Sequence, residues 1–299
     1  MELRHLRYFV AVAEELHFRR AAERLCIAQP PLSQQIQALE EELGAQLFLR
    51  SRRSVSLTDA GQVFLLRARR ILAEADAAGK EARRMALGEI GELRVGYTAS
   101  LPLTEMFPRI LSAFHAVCPD VGVRLQEMFT PDQFEALRTD ALDVGFARYN
   151  ATEASVEGLH FRLLRNDPLV MAMPVRHLLA DAPRVSLAQF AQEAFIMYPE
   201  TAGADLGGLL RRLCANAGFT PHIGQEAAEA VTQIGLVAAG LGVTAMPLPM
   251  ACIAMDRVRY VPLTDKGAYH SMYLVTREGD TKPQLARFLA CVEGVGEGV

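Results

Sequence analysis

The hexapeptide Leu87-Gly88-Glu89-Ile90-Gly91-Glu92 separates two patterns that cannot belong to one layer of structure. Before it, apolar residues recur at helical spacing: Leu6, Phe9, Val10 and Ala13, then Ala21, Ala22 and Leu25, then Leu32, Ile36, Leu39 and Leu43. Three short helices are predicted over residues 1–43. Leu47-Phe48-Leu49 and Val55-Ser56-Leu57 bracket the basic run Arg50-Ser51-Arg52-Arg53-Ser54 and read as a two-stranded wing. Thr58-Asp59 then caps a helix running to about Leu87, with acid at the positive end of its dipole. Along it Phe64, Ala68, Ile71, Ala75, Ala78, Ala82 and Met85 alternate in steps of four and three, the seam of a coiled coil, and this predicts that the helix dimerises.

After the hexapeptide the pattern becomes strand-helix alternation. Strands are predicted at 93–97, 121–129 and 142–147 around helices at 102–117 and 131–140, then near 161–174, 194–198, 222–227, 242–246, 258–263 and 270–276 with helices near 205–217, 228–239 and 281–292. Such alternation predicts a parallel sheet arranged as two α/β lobes. The expected fold class is therefore α/β with an all-α/winged-helix head. Its expected divisions are a winged helix-turn-helix at 1–58, a linker helix at 59–88 and a two-lobed α/β domain at 89–299. Lobe I would take about 92–164 and 268–299, and lobe II about 165–267.

Charge follows the same division. Residues 1–88 hold 14 Lys and Arg against 11 Asp and Glu, whereas the rest holds 17 against 24, so the overall −4 conceals a basic head and an acidic remainder. Met1 is followed by charged and polar residues and no apolar run reaches the length of a membrane span, which predicts a cytoplasmic protein with no membrane partner. Cys26, Cys118, Cys214, Cys252 and Cys291 are widely spaced and form no CxxC pair, and are expected to be mostly buried thiols. There is no GxSxG, HExxH, Walker loop or Cys/His cluster, so neither catalytic residues, metal nor cofactor is expected. A free solute-binding protein would share the two lobes but would have no use for the helical head.

On a wheel centred on Leu32, Ile36, Leu39 and Leu43 share one face while Pro30, Ser33, Gln34 and Gln37 point away. Short polar side chains in the first turn of such a helix suit base edges and phosphates in the major groove. Gln29, Pro30, Pro31, Ser33, Gln34 and Gln37 are the candidate reading residues. The wing arginines Arg50, Arg52 and Arg53, with no acidic residue between Leu43 and Asp59, are candidates for phosphate or the minor groove. In the second half, loops that follow strands and open helices favour anions. Thr98-Ala99-Ser100, the capping box Thr130-Pro131-Asp132-Gln133, and the segment after Tyr198 that contains Pro199, Glu200, Thr201 and Gly203 qualify. Glu200 and Asp205 make the last of these acidic, which disfavours a dicarboxylate over a monocarboxylate, an aromatic acid or an amine-bearing molecule.

Leu3 to Glu14, Ala21-Ala22-Glu23-Arg24-Leu25, Ala28-Gln29-Pro30-Pro31-Leu32-Ser33, Leu39-Glu40 through Leu47-Phe48, and Leu57-Thr58-Asp59-Ala60-Gly61 resemble the signature of LysR-type transcriptional regulators. The resemblance covers the whole length. It is strongest to muconate-responsive regulators of aromatic-compound catabolism, which often carry Arg where this chain has Gln34. It implies double-stranded promoter DNA, a small-molecule effector and RNA polymerase as partners, periplasmic-binding-protein-like lobes, and a homotetramer built as a dimer of dimers. It further implies that Ser100, Thr130, Arg148 and the loop after Tyr198-Pro199 contact the effector. The glycines of the boundary hexapeptide add the expectation that a Gly88–Gly91 hinge relays lobe movement to the DNA-binding head.

Overall fold

The computed structural model describes residues 1–51, 54–150, 156–199 and 205–296. The chain forms two compact units, Met1–Met85 and Ala86–Val299.

In the first unit, α1 (Leu3–Glu15) and α2 (Phe18–Arg24) meet α3 (Gln29–Leu43) around Phe9, Ala21, Leu32, Ile36 and Leu39, all without solvent exposure. The predicted apolar stripes are these buried faces, except that Leu43 is exposed, because the last turn of α3 runs beyond the packed core. Proline in the first turn and the left-handed Gly44 (φ 65°) bound α3. The wing strands β1 (Phe48–Arg50) and β2 (Val55–Leu57) pair antiparallel, with Arg50 opposite Val55. Phe48 reaches into the core, 5.3 Å from the Phe9 ring.

The Thr58 hydroxyl donates to Gln46 O at 2.7 Å and accepts from Gly61 N at 2.9 Å, capping α4 (Asp59–Ala86). Gly61 lets this helix lie against the wing, since a Cβ there would stand 2.1 Å from Leu47 O. Phe64, Leu65 and Leu72 pack on the head core around the fully buried Ala68. The first residues of the predicted seam therefore belong to the core of their own unit, while Ile71 and Met85 are exposed. Glu14 ties the helices together, accepting from Arg69 of α4 and Arg24 of α2, each at 2.8 Å.

The second unit begins with β3 (Ile90–Tyr97), α5 (Met106–Val117), β4 (Asp120–Glu127), α6 (Thr130–Arg138) and β5 (Val144–Arg148). The long β6 (Leu159–Pro174) follows, then β7 (Ala194–Met197), α7 (Asp205–Asn216), β8 (His222–Glu226), α8 (Ala230–Ala238), β9 (Thr244–Pro247), β10 (Val258–Pro262), β11 (Tyr269–Arg277) and α9 (Pro283–Gly296). The main sheet has seven strands in the path β10-β6-β11-β5-β3-β4, with β9 also on β6. It is mixed, not wholly parallel as alternation suggested: β3 is parallel to β4 and β5, but β11 is antiparallel to β5 and β6, and β9 and β10 are antiparallel to β6. A strand buried on both faces reads as the same apolar run in either direction, so pattern alone does not reveal its sense.

The first half of β6 pairs with β11 in one lobe, and its second half pairs with β9 and β10 in the other. Lobe I is filled by Leu93, Val95, Ile110, Phe114, Phe146 and Phe288. Lobe II is filled by Leu169, Met171, Phe190, Phe195 and Leu213 on one side of its strands and by Val170, Ile196 and Ile234 on the other.

The glycine-containing start of this unit is firmly seated. Arg287 Nε donates to Leu87 O and Gln284 Nε2 to Ile90 O, both at 2.8 Å, and a Cβ on Gly88 (φ 67°) would lie 2.6 Å from the Pro283 carbonyl carbon. Two of the five cysteines, Cys26 and Cys252, are exposed, contrary to the expectation of mostly buried thiols: Cys26 lies in the turn between α2 and α3, and Cys252 ends a short 3-10 helix after β9.

Candidate DNA-reading surface and effector cleft

On α3, Gln29, Pro30, Pro31, Gln34 and Gln37 are exposed and Ser33 is half-buried, so the face opposite the Leu32 stripe presents its polar atoms outward. Gln37 Nε2 donates to Glu41 Oε1 at 3.0 Å along its own helix. Between α3 and the wing lies a polar recess of about 450 Å³ lined by Gln37, Glu40, Arg50, Ser51, Ser54 and Ser56 among others. Arg52 and Arg53 lie outside the described residues. Arg50 is not the unneutralised cation expected from its sequence neighbours: Glu40, ten residues earlier on α3, accepts from its Nη2 at 2.7 Å.

In the second unit a cavity of about 740 Å³ opens between the lobes. Lobe I contributes the ends of β3, β4 and β5 with the starts of the following turns, including Thr98, Ala99, Ser100, Met128, Phe129, Thr130 and Arg148. Lobe II contributes Tyr198, Leu206, Val231, Met246, Pro247, Met250 and Ile253. Pro199 directly follows a lining residue but is not itself in the lining, and Glu200, Thr201 and Gly203 lie outside the described residues.

The hydroxyls differ from their expected capping roles. Thr130 is the first residue of α6 and makes no cap; its Oγ1 donates to Arg148 O at 2.9 Å and accepts from Arg148 N at 3.2 Å, so its proton is engaged. Gln133 does not close a capping box either. It is fully buried, and its Nε2 donates to Met128 O and Phe146 O at 3.2 Å each, in space left by Gly96 and Gly145. Ser100 is 6% exposed and caps nothing, but its Oγ accepts from Arg148 Nε at 2.8 Å, which leaves its proton free to donate. Thr98 Oγ1 is buried with no hydrogen-bond partner among the described residues.

Arg148 is buried and fully braced. Nη1 donates to His270 O at 2.7 Å, and Nη2 donates to Asp167 Oδ2 at 2.5 Å, where β11 and β6 pass between the lobes. Burial presses its pKa down while the Asp167 charge opposes the shift. Asp167, itself unexposed, also lies 2.6 Å from Arg165 Nη2. Thus the only cationic side chain in the described lining is already paired. Burial, then the neighbouring Glu127 charge, pushes the Tyr198 phenol up to about 12, so it stays neutral.

Three carboxylates, Glu127, Asp132 and Glu229, also line the cleft, on its solvent-exposed side. Glu127, Glu229 and the lobe II wall beyond the Tyr198 segment were not singled out from sequence, whereas Asp132 belongs to the Thr130–Gln133 segment that was. Met246-Pro247 and Glu229-Ala230 nonetheless sit at a strand end and a helix start, the same signal that marked Ser100 and Thr130. Among the described residues no His, Cys, Asp and Glu cluster could hold a metal, and no helix is long and apolar enough to cross a membrane.

A helix-turn-helix with a wing, followed by two α/β lobes around a ligand-sized cleft, defines a DNA-binding regulator with an effector-binding domain. Residues 3–62 match the family described as bacterial regulatory helix-turn-helix protein, lysR family, and residues 87–296 match the LysR substrate binding domain. The chain belongs to the LysR family of transcriptional regulators, and its family and relatives are regulators, not enzymes. It is 46% identical over 279 residues to the HTH-type transcriptional regulator YnfL of Escherichia coli K12, covering 92% of each chain. Its structure is similar to full-length CbnR complexed with its target DNA, with a TM-score of 0.83, 30% identity and coverage of 99% of this chain and all of that one. It is also similar to the BenM effector binding domain with its effector benzoate, with a TM-score of 0.62 and 25% identity over 70% of this chain and 93% of that one.

Proposed function

We propose that this regulator controls a catabolic operon in response to a small organic or aromatic acid bound between the lobes. The observation that carries the reading is the pair of buried hydroxyls, Ser100 and Thr98, that keep protons to donate in the lining of an otherwise largely apolar cleft. A single carboxylate there would receive hydrogen bonds near the α6 N-terminus, and its apolar body would lie on Met128, Phe129 and Met246. A second carboxylate would add to the charge of Glu127, Asp132 and Glu229 in the same lining, with no free cation among its described residues to offset them. The benzoate held by the BenM domain is an effector of this chemistry. The same three carboxylates favour, as a second reading, an effector carrying an amine.

On DNA, Gln29, Pro30, Pro31, Ser33, Gln34 and Gln37 read the major groove in this proposal, and Arg52 and Arg53 contact phosphate or the minor groove. The protein works in the cytoplasm as a homotetramer on promoter DNA and contacts RNA polymerase there. The proposed divisions are head 1–58, linker helix 59–88 and effector domain 89–299. Thr130, Arg148, Pro199, Glu200, Thr201, Gly203 and Ala99 complete the proposed effector surroundings.

Thermal unfolding of the full chain with benzoate, cis,cis-muconate and benzylamine tests the effector class. A ligand at about 100 times its Kd adds about 2.7 kcal/mol to native stability, a rise of several degrees in Tm. The expected result is a rise with benzoate, none with muconate, and loss of the benzoate response in Ser100→Ala. A rise with benzylamine alone would favour the second reading, and a rise with muconate alone would reject both the monocarboxylate and the amine.

A further inference from the structure

Arg50 occupies an unusual position for a cation on a DNA-binding wing. Besides the 2.7 Å bond from its Nη2 to Glu40 Oε2, its guanidinium carbon lies 5.1 Å from the centre of the Phe18 ring on α2. Glu40 belongs to the flank of α3 that faces the wing, and its side chain is only 12% exposed. Its second oxygen accepts from Leu47 N at 2.8 Å and Phe48 N at 3.0 Å, the two backbone groups through which the chain enters β1. Phe18 in turn packs edge-on against Phe48, with ring centres 5.9 Å apart. One carboxylate thus holds the turn after α3 and the first wing cation, while that cation reaches across to α2.

Arg50 is 38% exposed and engages Glu40 through Nη2 alone, but its single charge is already matched, and to give that charge to a phosphate it would have to leave a mostly buried carboxylate unopposed. We infer that Arg50 is a positioning residue: through Glu40 and Phe18 it fixes the seat of the wing on the recognition helix, and it does not neutralise a DNA phosphate. The inference rests on the DNA-binding reading of this head. It transfers the phosphate charge of the wing to Arg52 and Arg53 and makes Glu40, an acid beside a DNA-reading surface, a requirement for specific binding.

The two roles leave different physical signatures. A phosphate contact releases counterions, contributes about 0.9 to the slope of log affinity against log salt, and does so on any sequence. A positioning contact acts through geometry, so it governs the ratio between specific and nonspecific duplexes and leaves the slope alone.

The test measures binding of the full chain, across a KCl series, to the duplex it enriches from a random pool and to a scrambled duplex of the same composition. Arg50→Met retains an apolar stem over Phe18 and loses the ion pair; Glu40→Gln retains an oxygen for Leu47 and Phe48 and loses the charge. Both are expected to reduce the specific-to-scrambled ratio about tenfold, with the Arg50→Met slope equal to that of the wild type. Arg50→Lys, able to pair with Glu40 but not to lie flat on the ring, is expected to recover part of the ratio. A slope that falls by about 0.9 in Arg50→Met, with both duplexes weakened equally, overturns the inference. So does Glu40→Gln binding both duplexes more tightly, as a released cation would. If Arg50→Met does not fold, the sign of the Glu40→Gln change decides alone. Absence of salt-sensitive binding in the wild type would refute the DNA-binding reading itself.

Discussion

Asp143 shows how a single residue in lobe I combines burial with charge. It is 1% exposed, and its carboxylate receives Arg94 Nη2 and Lys282 Nζ, each at 2.7 Å, as well as the Arg94 backbone N–H at 2.7 Å. Burial raises its pKa, but the hydrogen bonds from Arg94 and Lys282 outweigh burial and hold it at about 2, below the ordinary 3.8. A carboxylate with a depressed folded-state pKa stabilises the native state above its unfolded value and loses that contribution as pH falls through the folded one. Unfolding in denaturant is therefore expected to show roughly 1–2 kcal/mol lost to this group between about pH 4 and pH 2, after allowance for solvent screening. Asp143→Asn should flatten that part of the profile; an unchanged profile would show that the pairing is not maintained in solution. The partners, 49 and 139 residues away in sequence, could not have been paired by inspection of the chain. The same holds for Arg148, whose place at the cleft came from family resemblance but whose engagement with Ser100, His270 and Asp167 required the fold.

Among the elements, the helices and wing of the head were legible because each carries a local mark: an apolar stripe at helical spacing, proline opening α3, glycine closing it, Thr58 capping α4. What the local marks left out was which elements share a core. The periodic residues Phe64 and Ala68 on α4 look identical whether they meet a second copy or the head beneath them, and here the head takes them. Glu40 likewise reads as one more solvated acid on α3 until β1 is laid beside it. Gly61 records that contact from the other side. Gly61→Ala should force α4 away from Leu47 O and cost about 1–3 kcal/mol, visible as a lower Tm. A variant as stable as the wild type would mean that the helix can withdraw without loss. In the second unit most strand and helix positions followed from alternation, whereas the antiparallel sense of β6 against β11 did not.

At the scale of the whole molecule, the two units Met1–Met85 and Ala86–Val299 part just before the glycine-containing hexapeptide, across which the net charge reverses. The segment expected to act as a hinge, Gly88–Gly91, is tied to α9 by hydrogen bonds from Arg287 to Leu87 O and from Gln284 to Ile90 O. The crossing between lobes is of another kind. Pro168 of β6 stands directly opposite Tyr269 of β11, so the chain leaves lobe I and returns to it at neighbouring positions. In topological terms lobe II is an insertion into one hairpin of lobe I, and the hairpin is complete without it. Replacing Leu169–Ala268 by Asn-Gly, the pair suited to a two-residue hairpin turn, should give a chain whose remaining α/β core unfolds cooperatively. Loss of cooperative unfolding would show that the core depends on its insert. The cleft between the lobes is then the seam left where one small domain was threaded into another. A chimera that exchanges the insert alone would change one wall of that seam while keeping the Ser100 wall, offering a route to altered effector choice that leaves the DNA-binding head untouched.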